Sequence, residues 1–71
     1  MRNITITEQP YAWLIEWPDG TTSRVITAAS ALRAVKQSGE WIAKGGSSDA
    51  AVITWCPCTK VGRIVVKALQ G

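Results

Sequence analysis

Histidine and phenylalanine are absent from this 71-residue chain, and acidic residues are few. The lack of histidine removes the commonest catalytic base, metal ligand and near-neutral pH switch. The carboxylates, Glu8, Glu16, Asp19, Glu40 and Asp49, share no short spacing that would build an acid-base pair. We therefore expect a protein that is not an enzyme and that uses no metal or other cofactor.

Long apolar runs are also missing. No segment approaches the roughly 20 residues that a membrane-spanning helix needs, and the opening MRNITITEQP lacks the apolar core of a signal peptide. Charged residues make up 18% of the chain, too few for a disordered tail, whereas 46% is hydrophobic and four residues are tryptophan. The composition predicts one globular domain over residues 1–71, in the cytoplasm and without membrane contact.

Cysteine is scarce, and both cysteines lie in the segment Trp55-Cys56-Pro57-Cys58. The segment resembles the tryptophan-led redox motif of thioredoxins, but that motif has two residues between its cysteines and this one has a single residue. A Cys-x-Cys pair supplies two thiolates, whereas a tetrahedral zinc site needs four ligands. Two reduced cysteines without a redox or metal role are the favoured interpretation, and four thiolates shared by a dimer are the alternative.

The clearest structural signal is a hairpin followed by a helix between residues 11 and 37. Pro18-Asp19-Gly20 has the residue types of a three-residue hairpin loop closed by a left-handed glycine. If Trp17 and Thr21 flank this loop, the cross-strand pairs are Trp13 with Val25, Leu14 with Arg24, Ile15 with Ser23 and Glu16 with Thr22. The core face then carries Tyr11, Trp13, Ile15, Trp17 and Val25.

The helix that follows has a start signal and an apolar stripe. Thr27 is suited to cap its N-terminus, and Gly39 is expected to end it. The stripe repeats at the i, i+3, i+4, i+7 spacing and comprises Ala28, Ala31, Leu32 and Val35. Beyond the helix, Trp41 is expected to pack over its end, and residues 45–48 to form a mobile connection.

Three other segments have strand character. Residues 3–7 form either a separate edge strand or, as we favour, a strand that continues through a kink at residues 8–10 into the hairpin. Residues 50–56 place Ile53 and Trp55 on one face, and residues 63–69, RIVVKAL, predict a fourth strand after a loop at 57–62. The predicted fold is α+β in the order ββαββ, with one helix covering a small antiparallel sheet.

A small tryptophan-rich chain without catalytic groups is suited to act by contact. Tryptophan and arginine are enriched at interface hot spots, so the leading hypothesis is a non-enzymatic protein-interaction module with Ile64, Val66 and Trp41 as interface candidates. Its size and simplicity resemble the small proteins that bacteriophages and mobile elements encode to regulate or inhibit host machinery. An unpaired edge strand from Arg63 to Lys67 would allow a homodimer or one tight foreign partner.

The alternative hypothesis is a single-stranded DNA or RNA binder. The net charge is +3, and Lys60, Arg63, Lys67 and Arg24 would contact phosphates while exposed tryptophans stack on bases. Clustered cations beside a solvent-facing ring would favour nucleic acid, whereas an apolar patch would favour a protein partner.

Overall fold

The computed structural model describes residues 2–47 and 51–70, which form a four-stranded mixed sheet with helices on one face. Its elements are β1 (Arg2–Gln9), β2 (Ala12–Glu16), β3 (Thr22–Val25), α1 (Ala28–Gln37), α2 (Gly39–Ala43), β4 (Ala51–Cys56) and α3 (Lys60–Gln70). The strand order is β3-β2-β1-β4, with β1 antiparallel to β2 and parallel to β4. The mixed α+β content is confirmed, but the wholly antiparallel sheet and the single helix are wrong for the described residues.

The predicted hairpin is confirmed in its loop and in its register. The observed cross-strand pairs are the predicted ones: Trp13 with Val25, Leu14 with Arg24, Ile15 with Ser23 and Glu16 with Thr22. The backbone N–H of Trp17 donates to the Thr21 carbonyl at 2.8 Å, and Gly20 has a φ of 90°. The Asp19 carboxylate accepts hydrogen bonds from the Thr21 backbone N–H at 3.0 Å and from the Thr21 hydroxyl at 2.6 Å. The loop is therefore held by both backbone and side-chain hydrogen bonds.

The first strand is neither an edge piece nor a kinked continuation of the hairpin. It is a central strand, paired with β2 on one side and with β4 on the other. Gln9 lies opposite Ala12, so the two residues between them, Pro10 and Tyr11, form a tight turn. Proline is tolerated here because it lies outside the ladder. Tyr11 at this turn is 95% exposed and is not part of the core face.

The core lies between one face of the sheet and the helices. The strands contribute Ile4, Ile6, Trp13 and Ile15, and the hairpin loop contributes Trp17. The helices contribute Ala28, Ala31, Val35, Trp41 and Val66. Ile53 and Trp55 of β4 also face this core and are partly buried, as their predicted shared face requires. The opposite face of the sheet carries no helix and no buried residue among those described.

The helix after the hairpin begins where the sequence predicts. The Thr27 hydroxyl accepts the backbone N–H of Ser30 at 3.1 Å, which caps the N-terminus of α1. Leu32 is only half-buried, unlike the other three residues of the predicted stripe. The helix ends at Gln37, and Gly39 begins the short α2 instead of terminating α1.

Trp41 closes one end of the core. Its ring stacks on Trp17 with centroids 5.6 Å apart, and it is 3% exposed. A Cβ at Gly46 would overlap the Trp41 ring, so the chain passes too close to the tryptophan for a larger residue. The predicted mobile connection is therefore packed at Gly46, while Ser48 lies outside the described residues.

The predicted fourth strand is a helix. Residues 63–69 belong to α3, and Gly62, Val66 and Leu69 face inward at helical spacing. The β-branched run favours a strand locally, but Thr59 caps a helix, with the Gly62 N–H donating to its hydroxyl at 2.9 Å. The backbone of residues 63–67 is therefore used within a helix, and no edge strand exists there for self-association.

We expect Gly20→Ala to destabilise the fold by about 1 kcal/mol, because alanine resists the left-handed backbone of the hairpin loop. Gly39→Ala is the matched control, since a Cβ meets no atom within 4 Å at either glycine but only Gly20 has a positive φ. Urea denaturation followed by tryptophan fluorescence measures both. Equal stability of the two variants would contradict the left-handed requirement.

Candidate interaction surface

The Glu8 carboxylate joins the end of β1 to the start of α3. It accepts the backbone N–H groups of Cys58 and Thr59, each at 2.8 Å, and the Thr59 hydroxyl at 2.8 Å. The N-terminus of a helix has unpaired N–H groups and a positive dipole end, so a carboxylate is favoured there. These contacts hold α3 against the sheet and determine which side of α3 faces outward.

Gly62 allows α3 to approach β1 closely. A Cβ at this position would overlap the Glu8 carboxylate, which is already held by its hydrogen bonds. Glycine is normally unfavourable inside a helix. The close contact with Glu8 explains why glycine occupies position 62 of α3. The predicted loop at 57–62 is correspondingly shorter, because α3 already begins at Lys60.

The two cysteines lie at this junction but lack the features of a reactive pair. Partial loss of solvent, followed by the charge of Glu8, raises the pKa of the Cys58 thiol above its ordinary value. Reactive thiols need a lowered pKa, often from a helix N-terminus, and Glu8 occupies that position here. Both cysteines are free and exposed, and no cluster of three or more potential metal ligands occurs among the described residues.

The outward side of α3 carries an apolar stripe that contacts nothing in the core. Val61, Ile64, Val65 and Ala68 follow the i, i+3, i+4, i+7 spacing of one helix face. Val61 is 70% exposed and Ile64 is 61% exposed. The helix thus has two apolar sides, one buried against the sheet and one facing solvent. We call these four residues the outer stripe.

A row of cations runs beside the outer stripe. Lys60, Arg63 and Lys67 follow the i, i+3, i+7 spacing, so the helix brings these three predicted phosphate-contacting residues together. All three are exposed. Arg24 lies elsewhere, on the helix-free face of the sheet in β3, and does not join them.

The structure separates the three predicted interface residues. Ile64 is exposed within the outer stripe, whereas Val66 is 5% exposed and Trp41 is 3% exposed. Val66 points inward because helical spacing places it with Gly62 and Leu69. A strand interpretation puts Ile64 and Val66 on the same face, and the helix places them on different faces. In the sequence, the helical spacing of the apolar residues 61, 64, 65 and 68 could have predicted the outer stripe.

The tryptophans do not form a stacking platform. Trp13, Trp17 and Trp41 are buried, and Trp55 is half-buried with its ring edge-on to Trp13 at 6.1 Å between centroids. The exposed apolar side chains of α3 are aliphatic, and Tyr11, the exposed ring among the described residues, lies at the β1–β2 turn. The helix that carries the cation row therefore supplies no ring of its own for base stacking.

Comparisons with known proteins give no family assignment, because the chain matches no family model, no curated protein and no solved structure. Within residues 2–47 and 51–70, no helix is long and apolar enough to cross a bilayer.

We expect Glu8→Gln to lower stability at pH 7 and to flatten the loss of stability in acid. Hydrogen bonds from the Thr59 backbone and hydroxyl, opposed in part by desolvation, hold the Glu8 pKa below its ordinary value. A lowered carboxylate pKa stabilises the fold above the unfolded pKa, and this stabilisation is lost as the pH falls through the folded pKa. Urea denaturation at a series of pH values from 7 to about 3 measures the effect.

The control is Glu16→Gln, which makes the same chemical change at an exposed residue on the helix-free face. This variant should be more stable than Glu8→Gln at pH 7, because Glu16 does not lie at a helix N-terminus. Both variants keep Asp19, whose pKa is also lowered by its hydrogen bonds with Thr21. Parallel stability curves for Glu8→Gln and the wild type would contradict the role given to Glu8.

Proposed function

We propose that this protein is a non-enzymatic protein-interaction module and that the outer stripe of α3 is its contact surface. The observation that carries the proposal is the run of exposed Val61, Ile64 and Val65 at helical spacing. Single exposed apolar residues are common on protein surfaces. Several in register on one rigid helix form a contiguous patch, and such patches mark interaction sites.

The energetics of α3 support a partner on this side. Burying a valine or isoleucine side chain is worth about 1.5–3 kcal/mol relative to leaving it exposed. Within residues 2–47 and 51–70, the other exposed large apolar residues lie on separate elements, namely Tyr11 at a turn, Ile26 after β3, Ile42 on α2 and Val52 on β4. The outer stripe therefore offers the largest gain from one contact with another protein.

A protein partner is favoured over nucleic acid by the kind of residue beside the cations. Base stacking needs rings, whereas Ile64, which is four residues after Lys60 and three before Lys67 on the helix, is aliphatic. Aliphatic side chains are poor partners for a phosphate backbone but suit the apolar centre of a protein interface. The cations then act at the rim, where they influence orientation and association rate.

We expect Ile64→Glu to abolish capture of the partner while leaving the fold intact, since Ile64 is exposed and makes no core contact. The tagged chain is used to retain proteins from a cell extract, and a retained protein is purified and titrated by calorimetry. Loss of a central apolar contact is expected to weaken binding by about 2 kcal/mol or more. Circular dichroism checks the fold of the variant.

The matched control is Val52→Glu, which introduces the same charge at another exposed apolar residue, on the helix-free face of the sheet. A protein retained by the wild type and by Val52→Glu, but not by Ile64→Glu, identifies the contact surface. Equal retention by Ile64→Glu and the wild type would show that the outer stripe is not the contact surface.

A further inference from the structure

The outward side of α1 carries an open groove that is lined by α1 residues alone. The groove has a volume of about 270 Å³ and is lined by Ala29, Leu32, Arg33, Lys36 and Gln37. The helices α1 and α3 are neighbours in the layer that covers the sheet. Leu32 is half-buried yet does not pack against the central core, so its side chain belongs to this groove.

The chain topology brings the groove and the outer stripe together. β1 and β4 are adjacent parallel strands, and a connection between such strands through a helix layer is right-handed in nearly all proteins. A right-handed connection fixes the side of α1 on which α3 lies. Because both helices are right-handed, Leu32 of α1 then points toward α3, and Val61 and Val65 of α3 point toward α1. Of these two α3 residues, Val65 is 37% exposed and Val61 is 70% exposed, so only Val65 is partly covered.

The charges of these two helices have one sign. Five of the eight lysine and arginine residues lie on α1 and α3, and neither helix contains an acidic residue. Arg33 and Lys36 line the groove on the α1 side, and Lys60, Arg63 and Lys67 run along α3. Exposed apolar side chains of α3 and the half-buried Leu32 of α1 are thus accompanied by cations on each helix.

We infer that this groove, together with the outer stripe, binds an acidic amphipathic helix of another protein. The inference rests on the proposed function and specifies the chemistry of the partner. Apolar residues at i, i+3, i+4 and i+7 of the bound helix would contact Leu32, Val61, Ile64 and Val65. Glutamate or aspartate on its flanks would meet the two sets of cations, which gives charge complementarity along its length.

A second copy of this chain fits the surface less well. An antiparallel pair of α3 helices related by a two-fold axis sets the same flank of each helix on the same side. Lys60, Arg63 and Lys67 of one copy would then lie beside the same residues of the other, and like charges in that position are unfavourable. An anionic membrane also fits less well, because the outer stripe consists of valine, isoleucine and alanine without an aromatic anchor.

The test uses the full chain and a designed peptide of about 20 residues, above the length at which isolated helices are marginal in water. The peptide carries leucine at i, i+3, i+4 and i+7 positions and glutamate on both flanks. A control peptide has lysine in place of every glutamate. Binding is measured by anisotropy of the labelled peptides and mapped by amide chemical shifts, and we expect binding of the acidic peptide only, with shifts on α1 and α3.

Charge-reversal variants separate the inference from the proposed function. Arg33→Glu combined with Arg63→Glu is expected to weaken binding of the acidic peptide about tenfold or more, because one attractive pair on each flank becomes repulsive. The matched control, Arg24→Glu, reverses an exposed arginine on the opposite side of the sheet and should change the affinity less than about twofold. The affinity for the acidic peptide should also fall with added salt.

Three outcomes would overturn the inference. One is equal binding of the acidic and lysine peptides, another is no binding of the acidic peptide, and the third is tighter binding of anionic vesicles, oligothymidine or a second copy of the chain. If Ile64→Glu still loses the captured partner while the double charge reversal retains it, the inference fails and the proposed function stands. If neither variant loses that partner, both fail.

Discussion

The contact between the Glu8 carboxylate and the first turn of α3 is the interaction on which the rest of the arrangement depends. Glu8 lies at the end of the central strand, and its hydrogen bonds to Cys58 and Thr59 hold the last helix against the end of the sheet. A charged acceptor at a helix N-terminus pairs with N–H groups that the helix itself leaves open. Without it, residues 60–70 would keep an apolar side but lose the anchor that sets their orientation.

This anchor also affects the Cys-Pro-Cys segment. A carboxylate occupies the helix N-terminus that would lower the pKa of a thiol, and loss of solvent together with the charge of Glu8 raises the pKa of Cys58. The same geometry turns Val66 inward and Ile64 outward on α3. One pairing thus contributes to the raised pKa of Cys58 and, through the orientation of α3, to the exposed stripe to which we assign partner binding.

The distribution of apolar residues supports the interaction role that we propose. Helices cover one face of the sheet, and the apolar residues of α1, α2 and α3 that face inward complete one core with Ile4, Ile6 and Ile15. A chain of this length leaves a large share of its surface exposed, so apolar residues beyond the core remain available to another molecule. Their position on α3, beside cations and beside the groove of α1, gives that surface both an apolar centre and a charge preference.

The sequence by itself determined the hairpin, its register and the start of α1, because the loop residues and the Thr27 cap act through local backbone chemistry. It also identified Lys60, Arg63, Lys67 and Ile64, but not their common helix. Only the tertiary structure decided that residues 63–69 are helical and that β1 is central. The β-branched run is locally compatible with a strand, and the deciding contacts join Glu8 to residues about fifty positions away, a distance that no periodicity in the chain reveals.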